Sequence, residues 1–333
     1  MKTTYLLLCL LGIGSVSGAG QTKQPQKIGD FIESTSYNEH RRNATRSLQY
    51  TPDGDDFVCI NGKNRFTRAL YGSHTAFRLE TSDRPVFAAY TKENPKHICF
   101  KLQTSGGTVA LDSTEHCESR YTAGRRSYSL SDPAFGGGSL SITTWALPDK
   151  EGAIWQFNAR NFKEFHPVLL ASISEIRNSK LNRNGDMGAD PADSFEVPLQ
   201  PQQLQSFPVQ IDGTLYILLE NQELRTLTTA EGENLFKKAE AARSETASRI
   251  RIETPDPYFN TLGGTLAMAA DGIWDGEVWL HGAIGWRMPL SGWRAAYTGD
   301  VLGWHDRART HFNAYAASQV TEVPNTFPHP AQD

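Results

Sequence analysis

The pattern of apolar and polar positions changes twice along the chain. From residue 46 to residue 228, short runs rich in β-branched and aromatic residues alternate with glycine, asparagine and aspartate. Many short strands separated by frequent turns are typical of an antiparallel β-sandwich. The apolar runs are 57–60, 65–72, 75–81, 85–90, 97–103, 139–147, 153–160 and 214–220. Asp212-Gly213, directly before the last run, predicts a hairpin turn.

Residues 229–252 have a different composition, rich in Ala, Glu, Lys and Arg. Leu235, Ala239 and Ala242 fall on one side of a helical wheel, which predicts a helix with a modest apolar stripe. We expect this helix to link the sandwich to the following segment and to keep its charged face in solvent.

Helical spacing returns in residues 253–333. Asp256 is suited to the N-cap of a helix and Pro257 to its first helical position. Gly263-Gly264 would let a neighbouring helix approach closely. A second helix is predicted from near Thr298 to about Val320.

The N-terminus is typical of a secretory signal peptide. Residues 1–20 combine Lys2, an apolar run and a small-residue region ending SVSGAG. Residues 21–45 are polar and predict a partly disordered leader. The sequence therefore predicts export, to the periplasm or the extracellular space.

Composition excludes some classes of function. The chain has 333 residues, 21% of them charged, and a net charge of −4, with no basic stretch suited to nucleic acid. After the signal peptide, no apolar stretch is long enough to span a membrane. Without a CxxC pair or an HExxH motif, a structural zinc site or a zinc protease has no support. The oxygen-rich segment 178–198 could suggest calcium, but a solvated loop is the favoured interpretation, and we expect no metal and no cofactor.

The cysteines left after signal removal are Cys59, Cys99 and Cys117. Export would permit a disulfide, and Cys99–Cys117 would close a short loop. An odd count does not define a pairing. Three buried thiols are the favoured interpretation.

Residues 272–312 hold five of the seven tryptophans, and the tripeptide GWR occurs at 285–287 and again at 292–294. Aromatic faces beside charged hydrogen-bonding groups suit a sugar, and arginine forks suit the carboxylate of an acidic sugar. The alternative is a helical core in which the tryptophans pack. The residues predicted to bind an oligo- or polysaccharide are His281, Trp286, Arg287, Trp293, Arg294, His305 and Asp306.

Asp300 is the candidate catalytic carboxylate, because it falls near a helix start beside the Trp-Arg stretch. The alternative is an acid that stabilises the start of that helix. Asp271 and Asp275 have structural explanations, in a helix and in a turn. Asp306 is spaced to pair with Arg309 along a helix.

Three stretches, 57–72, 83–90 and 279–308, resemble an incompletely characterised family of exported bacterial proteins in the six-hairpin glycosidase-like superfamily. The resemblance implies a β-sandwich, a linker helix and an α/α toroid whose funnel holds the sugar. Twelve toroid helices need on the order of 300 residues, and about 80 follow Asp256. We therefore expect a C-terminally truncated chain with an incomplete toroid.

The activity that this resemblance implies for the full-length form is glycoside hydrolysis of plant or host glycans. The alternative is a non-catalytic carbohydrate-binding or assembly protein whose ligand surface lies on the sandwich. Exposed aromatic residues on one sandwich face would favour that alternative, and a Trp/Arg-lined cleft at 279–308 would favour the enzyme. The oligomeric state is left open.

Overall fold

The structure is a computed structural model that forms two compact units, Met1–Gln49 and Tyr50–Asp333. It describes residues 26–28, 31–33, 50–63, 68–72, 77–90, 96–162, 167–175, 205–208, 213–280 and 296–319. In the first unit, strands β1 (Gln26–Ile28) and β2 (Phe31–Glu33) pair antiparallel within the predicted leader. The predicted signal peptide lies outside the described residues.

The second unit contains two antiparallel sheets. Its strands are β3 Thr51–Asp53, β4 Asp56–Ile60, β5 Arg68–Tyr71, β6 Arg78–Thr81, β7 Val86–Tyr90, β8 Lys96–Thr104, β9 Gly107–Ala110, β10 His116–Thr122, β11 Arg125–Ser131, β12 Ser139–Ala146, β13 Gly152–Arg160, β14 Val168–Glu175, β15 Gln205–Pro208, β16 Thr214–Glu220 and β17 Glu223–Leu227. The larger sheet has the order β17-β16-β13-β12-β11-β10-β4-β3. The smaller has the order β15-β14-β8-β7-β6-β5, with β9 added beside β8.

The two sheets share one aromatic core. Phe87 of the smaller sheet lies edge-on to Tyr128 and Trp155 of the larger, with ring centroids 5.9 and 5.5 Å apart. Phe100 packs in the same way against Trp155 and Phe157, at 5.8 and 5.0 Å. Edge-to-face contacts at these distances add to the free energy gained by burying the rings. The predicted antiparallel β-sandwich is confirmed.

The outcome for individual strands is mixed. Each of the apolar runs used for the prediction coincides with or overlaps a strand. The hairpin predicted at Asp212-Gly213 involves residues 209–212, which lie outside the described residues. Among the described strands, β16 pairs with β13 and with β17, and its turn to β17 lies at Asn221 and Gln222, whose φ angles are 48° and 65°. Positive φ at both central residues gives the tight turn that two adjacent strands require.

A polar cluster lies inside the sandwich, where the stretches 57–72 and 83–90 meet. The guanidinium of Arg126 lies 3.6 Å from the carboxylate of Asp83, and both side chains are buried. Arg126 also donates to the carbonyl of Ser82 at 2.7 Å. Arg84 donates to the carbonyls of Gly62 and Thr114, at 3.1 and 2.7 Å. These contacts give both stretches a structural role.

Cys59, Cys99 and Cys117 are free thiols, so Cys99 and Cys117 are not joined, but the prediction that all three are buried holds for two of them. Cys59 and Cys117 are buried inside the sandwich. Burial raises the pKa of the Cys117 thiol to about 12 and also raises the pKa of Cys59. Cys99 is partly exposed, and its sulfur lies 2.8 Å from the hydroxyl of Ser172.

Helix α1 (Thr229–Ala247) begins with a capping box, in which Thr228 and Glu231 bond each other's backbone N–H. Its apolar stripe covers part of the outer face of the larger sheet. Phe236 packs edge-on against Trp145 and Tyr216, with centroids 6.2 and 6.1 Å apart. The helix therefore packs on the sandwich along its length.

Helix α2 (Pro257–Gly272) begins as predicted, with the Asp256 carboxylate accepting from the N–H of Tyr258 at 2.9 Å. A Cβ on Gly264 would lie 2.9 Å from the Cβ of Ala123 and 3.2 Å from that of Ala247. The glycine pair therefore allows the close approach to α1 that the sequence predicts.

The last predicted helix is divided. Residues 296–301 are helical, and helix α3 spans His305–Ala317. Gly303 has φ 81° and breaks the helix between them. The prediction of one continuous helix from Thr298 is wrong, because this glycine stops the first segment. No helix among the described residues is long and apolar enough to cross a membrane.

Gly232 gives a test of the packing of α1. A Cβ at this position would overlap the ring of Tyr216. Helix propensity alone favours Gly232→Ala by about 1 kcal/mol, but overpacking a filled site costs about 1–3 kcal/mol. We therefore expect Gly232→Ala to lower the free energy of unfolding, measured by urea denaturation. A more stable variant would contradict the described contact between α1 and β16.

The thiols give a second test. At pH 8 the Cys117 thiol is almost entirely protonated, because its pKa is raised to about 12, and only the thiolate reacts. We expect iodoacetamide to leave Cys59 and Cys117 unlabelled in the native protein and to label both in urea, as located by peptide mass spectrometry. Rapid native labelling of either would show that this part of the core is open.

Candidate functional site

A buried carboxylate holds the helical part of the molecule to the sandwich. Asp271, at the end of α2, accepts from Arg307 of α3 at 2.8 Å and from Arg243 of α1 at 3.3 Å. The side chains of Asp271 and Arg243 are buried, whereas that of Arg307 is partly exposed. One carboxylate therefore joins three helices.

Arg243 extends this cluster to the smaller sheet. Its guanidinium also donates to the carbonyls of Tyr71 and Gly72, both at 3.3 Å. Burial lowers the pKa of Arg243, and the nearby Asp271 carboxylate opposes that shift. A Cβ on Gly272 would overlap the Tyr71 ring, so α2 ends in direct contact with β5. The Asp271–Arg243–Arg307 cluster, called the Asp271 cluster below, thus connects α1, α2, α3 and β5.

Three tryptophans of the C-terminal stretch form a core beside the Asp271 cluster. Trp274, Trp279 and Trp304 are buried, and the Trp274 and Trp279 centroids lie 4.6 Å apart. The Arg307 guanidinium lies over the rings of Trp304 and Trp274, at 4.7 and 5.6 Å. The Trp279 indole N–H donates to the carbonyl of Ala270 at 3.1 Å. For these three tryptophans the packing alternative is confirmed.

The candidate catalytic residue lies at the surface of this core. The carboxylate of Asp300 is 2.6 Å from Nδ1 of His305, and the two side chains are 56% and 69% exposed. Asp300 belongs to the helical segment before Gly303, and His305 is the first residue of α3. The break at Gly303 therefore brings the two side chains together.

The backbone beneath the pair is fixed by buried neighbours. Leu302 and Trp304 lie between the two residues in sequence and both are buried. Arg249 donates to the carbonyl of Leu302 at 2.8 Å and lies over the Trp304 ring at 5.1 Å. The Gly303 N–H donates to the carbonyl of Asp300 at 2.9 Å. The Asp300–His305 pair is thus an exposed polar group on an anchored turn.

The contact between Asp300 and His305 decides what the imidazole can do. A carboxylate beside Nδ1 favours the tautomer with its proton on Nδ1, which leaves Nε2 as the acceptor. A His oriented in this way can accept a proton at Nε2 and return it. The geometry is that of an imidazole general base, His305, oriented by the carboxylate of Asp300.

Asp306 is on α3 with its side chain 96% exposed, and it pairs with Arg309 at 3.4 Å. The local helical pairing predicted from the spacing is confirmed, and a role in binding sugar stays a prediction. The remaining predicted binding residues lie outside the described residues: His281, Trp286, Arg287, Trp293 and Arg294.

Sequence reasoning missed the importance of Arg243. We expected the charged face of the linker helix to be solvated, but Arg243 is buried. Gly232, Ala239 and Arg243 are the buried positions of α1, at helical spacings of seven and four. That spacing could have identified Arg243 as a buried position of the helix. Within the described part of the chain, no group of three or more His, Cys, Asp or Glu side chains is placed to hold a metal ion.

The comparisons with known proteins concern the sandwich. Residues 95–250 match a family model described as a domain of unknown function, DUF4450. The match runs from β8 to the end of α1 and stops before α2 and the Asp300–His305 pair. A search of curated proteins finds no match to the chain. These comparisons therefore assign no activity.

The Asp271 cluster gives a stability test. Asp271→Asn leaves Arg243 buried beside a neutral group, and breaking a buried ion pair costs about 3–5 kcal/mol. We expect the free energy of unfolding to fall by about that amount in urea. Asp306→Asn is the matched control, because its pair is exposed and should change stability by less than about 0.5 kcal/mol. Equal effects of the two substitutions would contradict the role assigned to Asp271.

Proposed function

We propose that the protein is an exported, carbohydrate-active protein of glycoside hydrolase type, and that Asp300 and His305 belong to its acid–base machinery. The observation that carries this proposal is the 2.6 Å contact between the two exposed side chains. The pair directly follows the stretch 281–295, in which the sequence predicts the sugar-binding tryptophans and arginines.

Glycoside hydrolysis requires a proton for the departing oxygen and a group that activates water or attacks the sugar. An anchored carboxylate–imidazole pair supplies proton transfer of this kind. Exposure of both side chains leaves room for a polysaccharide. His305 would exchange the proton at Nε2, and Asp300 would hold the ring in place.

The order of elements supports the proposed superfamily fold. A β-sandwich is followed by α1, which packs on it, and then by α2 and α3. We propose that α2 and α3 are the first helices of an α/α toroid. Paired toroid helices bury apolar faces against their neighbours, and Leu266 of α2 and Phe312 of α3 are apolar side chains with substantial exposure. Export is proposed on the signal-like residues 1–20.

The non-catalytic alternative predicts exposed aromatic side chains on one face of the sandwich. Among the described residues, the large exposed hydrophobic side chain on a sandwich strand is Ile60, and the exposed aromatics lie in the helical part. This distribution favours the enzyme over a sandwich that binds sugar through exposed aromatic rings.

The proposal is tested with the full-length gene product on a panel of neutral and uronate-containing plant and host polysaccharides, by measuring released reducing ends. We expect turnover of at least one substrate, and a loss of kcat of about 100-fold or more in Asp300→Asn and in His305→Gln, since general acid–base catalysis contributes about 10²–10⁴-fold.

Glu151→Gln is the control, because Glu151 is an exposed carboxylate in the turn between β12 and β13. It should keep wild-type turnover. Full activity of Asp300→Asn, or a folded wild-type protein that cleaves nothing in the panel, would overturn the catalytic assignment.

A further inference from the structure

The outer face of the larger sheet is divided into a covered half and an open half. Trp145, Ile154, Tyr216 and Leu218 point outward and lie under α1. Farther along β12 and β13, the outward positions are polar and no described helix covers them. Leu130 and Leu140, which alternate with these positions, point into the core. The open half is therefore the polar continuation of the face that α1 covers.

This open half forms a groove of about 380 Å³. Its polar lining consists of His116, Ser129, Ser131, Ser139, Ser141, Asn158 and Arg160. Ser129, Ser141, Asn158 and Thr214 are direct partners across four adjacent strands. Short side chains in register on neighbouring strands make the floor low, which explains the groove.

On the β13–β16 side of the groove, the polar side chains bond one another, whereas, among the described residues, the serine hydroxyls of β11 and β12 do not. Thr214 donates to the Asn158 side chain at 2.6 Å, and Asn158 donates to Gln156 at 3.2 Å. Gln156 donates in turn to the Tyr216 hydroxyl at 2.7 Å. Within the part of the chain that the structure describes, the four serine hydroxyls have no hydrogen-bond partner and Arg160 has no ion-pair partner.

The charged residue of the groove lining is Arg160, which is exposed, and His116 lies at the same end, opposite Ser131. A carboxylate beside the groove, that of Glu118, lies opposite Ser129 and pairs with Arg120 at 2.6 Å. An arginine without a carboxylate partner is ready to take a carboxylate from a ligand by its two-pronged donor geometry.

The side chains of the lining favour a sugar as the ligand of the groove. The described lining of the groove contains no Phe, Tyr, Trp or Met, residues that are enriched at the centres of protein–protein interfaces. A sugar would be held here by hydrogen bonds and charge and not by ring stacking. The floor of the groove is made of serine and asparagine. Hydroxyls and an amide that both donate and accept match the hydroxyls of a sugar.

We propose that this groove binds an acidic oligosaccharide, with the Arg160 guanidinium holding a uronate carboxylate and the serines and Asn158 bonding its hydroxyls. The groove is a second site, on the sandwich, and it does not depend on Asp300 or His305. The occupant would be held in place without being cleaved there.

The test is isothermal titration of the full chain with oligogalacturonate, and with a neutral glucan oligosaccharide of equal length. We expect the wild type to bind the acidic ligand more tightly than the neutral one. Arg160→Ala should weaken acidic binding on the order of 10- to 100-fold, the range for losing a charged hydrogen-bonded contact. Ser141→Leu, which fills the floor, should weaken binding of both ligands.

Lys237→Ala is the matched control, because Lys237 is an exposed cation on α1 away from the groove lining. It should bind as the wild type does, and circular dichroism should show that every variant is folded. Asp300→Asn should also keep groove binding, which separates a failure of this inference from a failure of the catalytic proposal. Absence of acidic-ligand binding, or binding unchanged by both groove substitutions, would overturn it.

Discussion

The carboxylate of Asp271 is a constraint on which the arrangement of the second unit depends. It is removed from water, and two guanidiniums from different helices neutralise it. A buried charge of this kind destabilises the protein unless its partners are in place. Arg243 also bonds the chain at the end of β5, so the same guanidinium that neutralises Asp271 fixes α1 and α2 against the edge of the smaller sheet. These contacts fix the position of the helices relative to the sandwich.

The candidate site depends on this arrangement through Arg307 and the tryptophans. Arg307 bonds Asp271 and stacks on Trp304, and Trp304 directly precedes His305 in the chain. Arg249 holds the opposite side of the turn through the carbonyl of Leu302. The exposed Asp300–His305 pair therefore lies on a turn that buried side chains and an ion pair hold in place from below. Preorganisation of this sort is what proton transfer needs, because the reacting groups must not be repositioned during the reaction.

The sandwich could be predicted from the sequence because many of its strands, such as β7 and β16, are short apolar runs bounded by turn residues. The hairpin of β10 and β11 was harder to see, since its outward positions are mostly serine and arginine and its inward ones include Ser119 and Arg126. Arg243 could not be placed inside by composition, because its burial depends on a carboxylate 28 residues later. The break at Gly303 was missed because glycine within an apolar period does not reveal its φ angle. Asp300 and His305 were both selected from the sequence. Their contact depends on that break.

Because the Asp271 cluster joins the helices to the sandwich, we expect the helices that carry the candidate site to unfold together with the sandwich as one cooperative unit. Native-state hydrogen exchange followed by mass spectrometry measures this directly, because amides that open only by global unfolding share one free energy of opening. We predict that amides of α2 and α3 exchange with the same free energy and the same dependence on urea as those of β12 and β13. Exchange of α2 and α3 through a separate opening of much lower free energy, while the strands stay protected, would contradict the account.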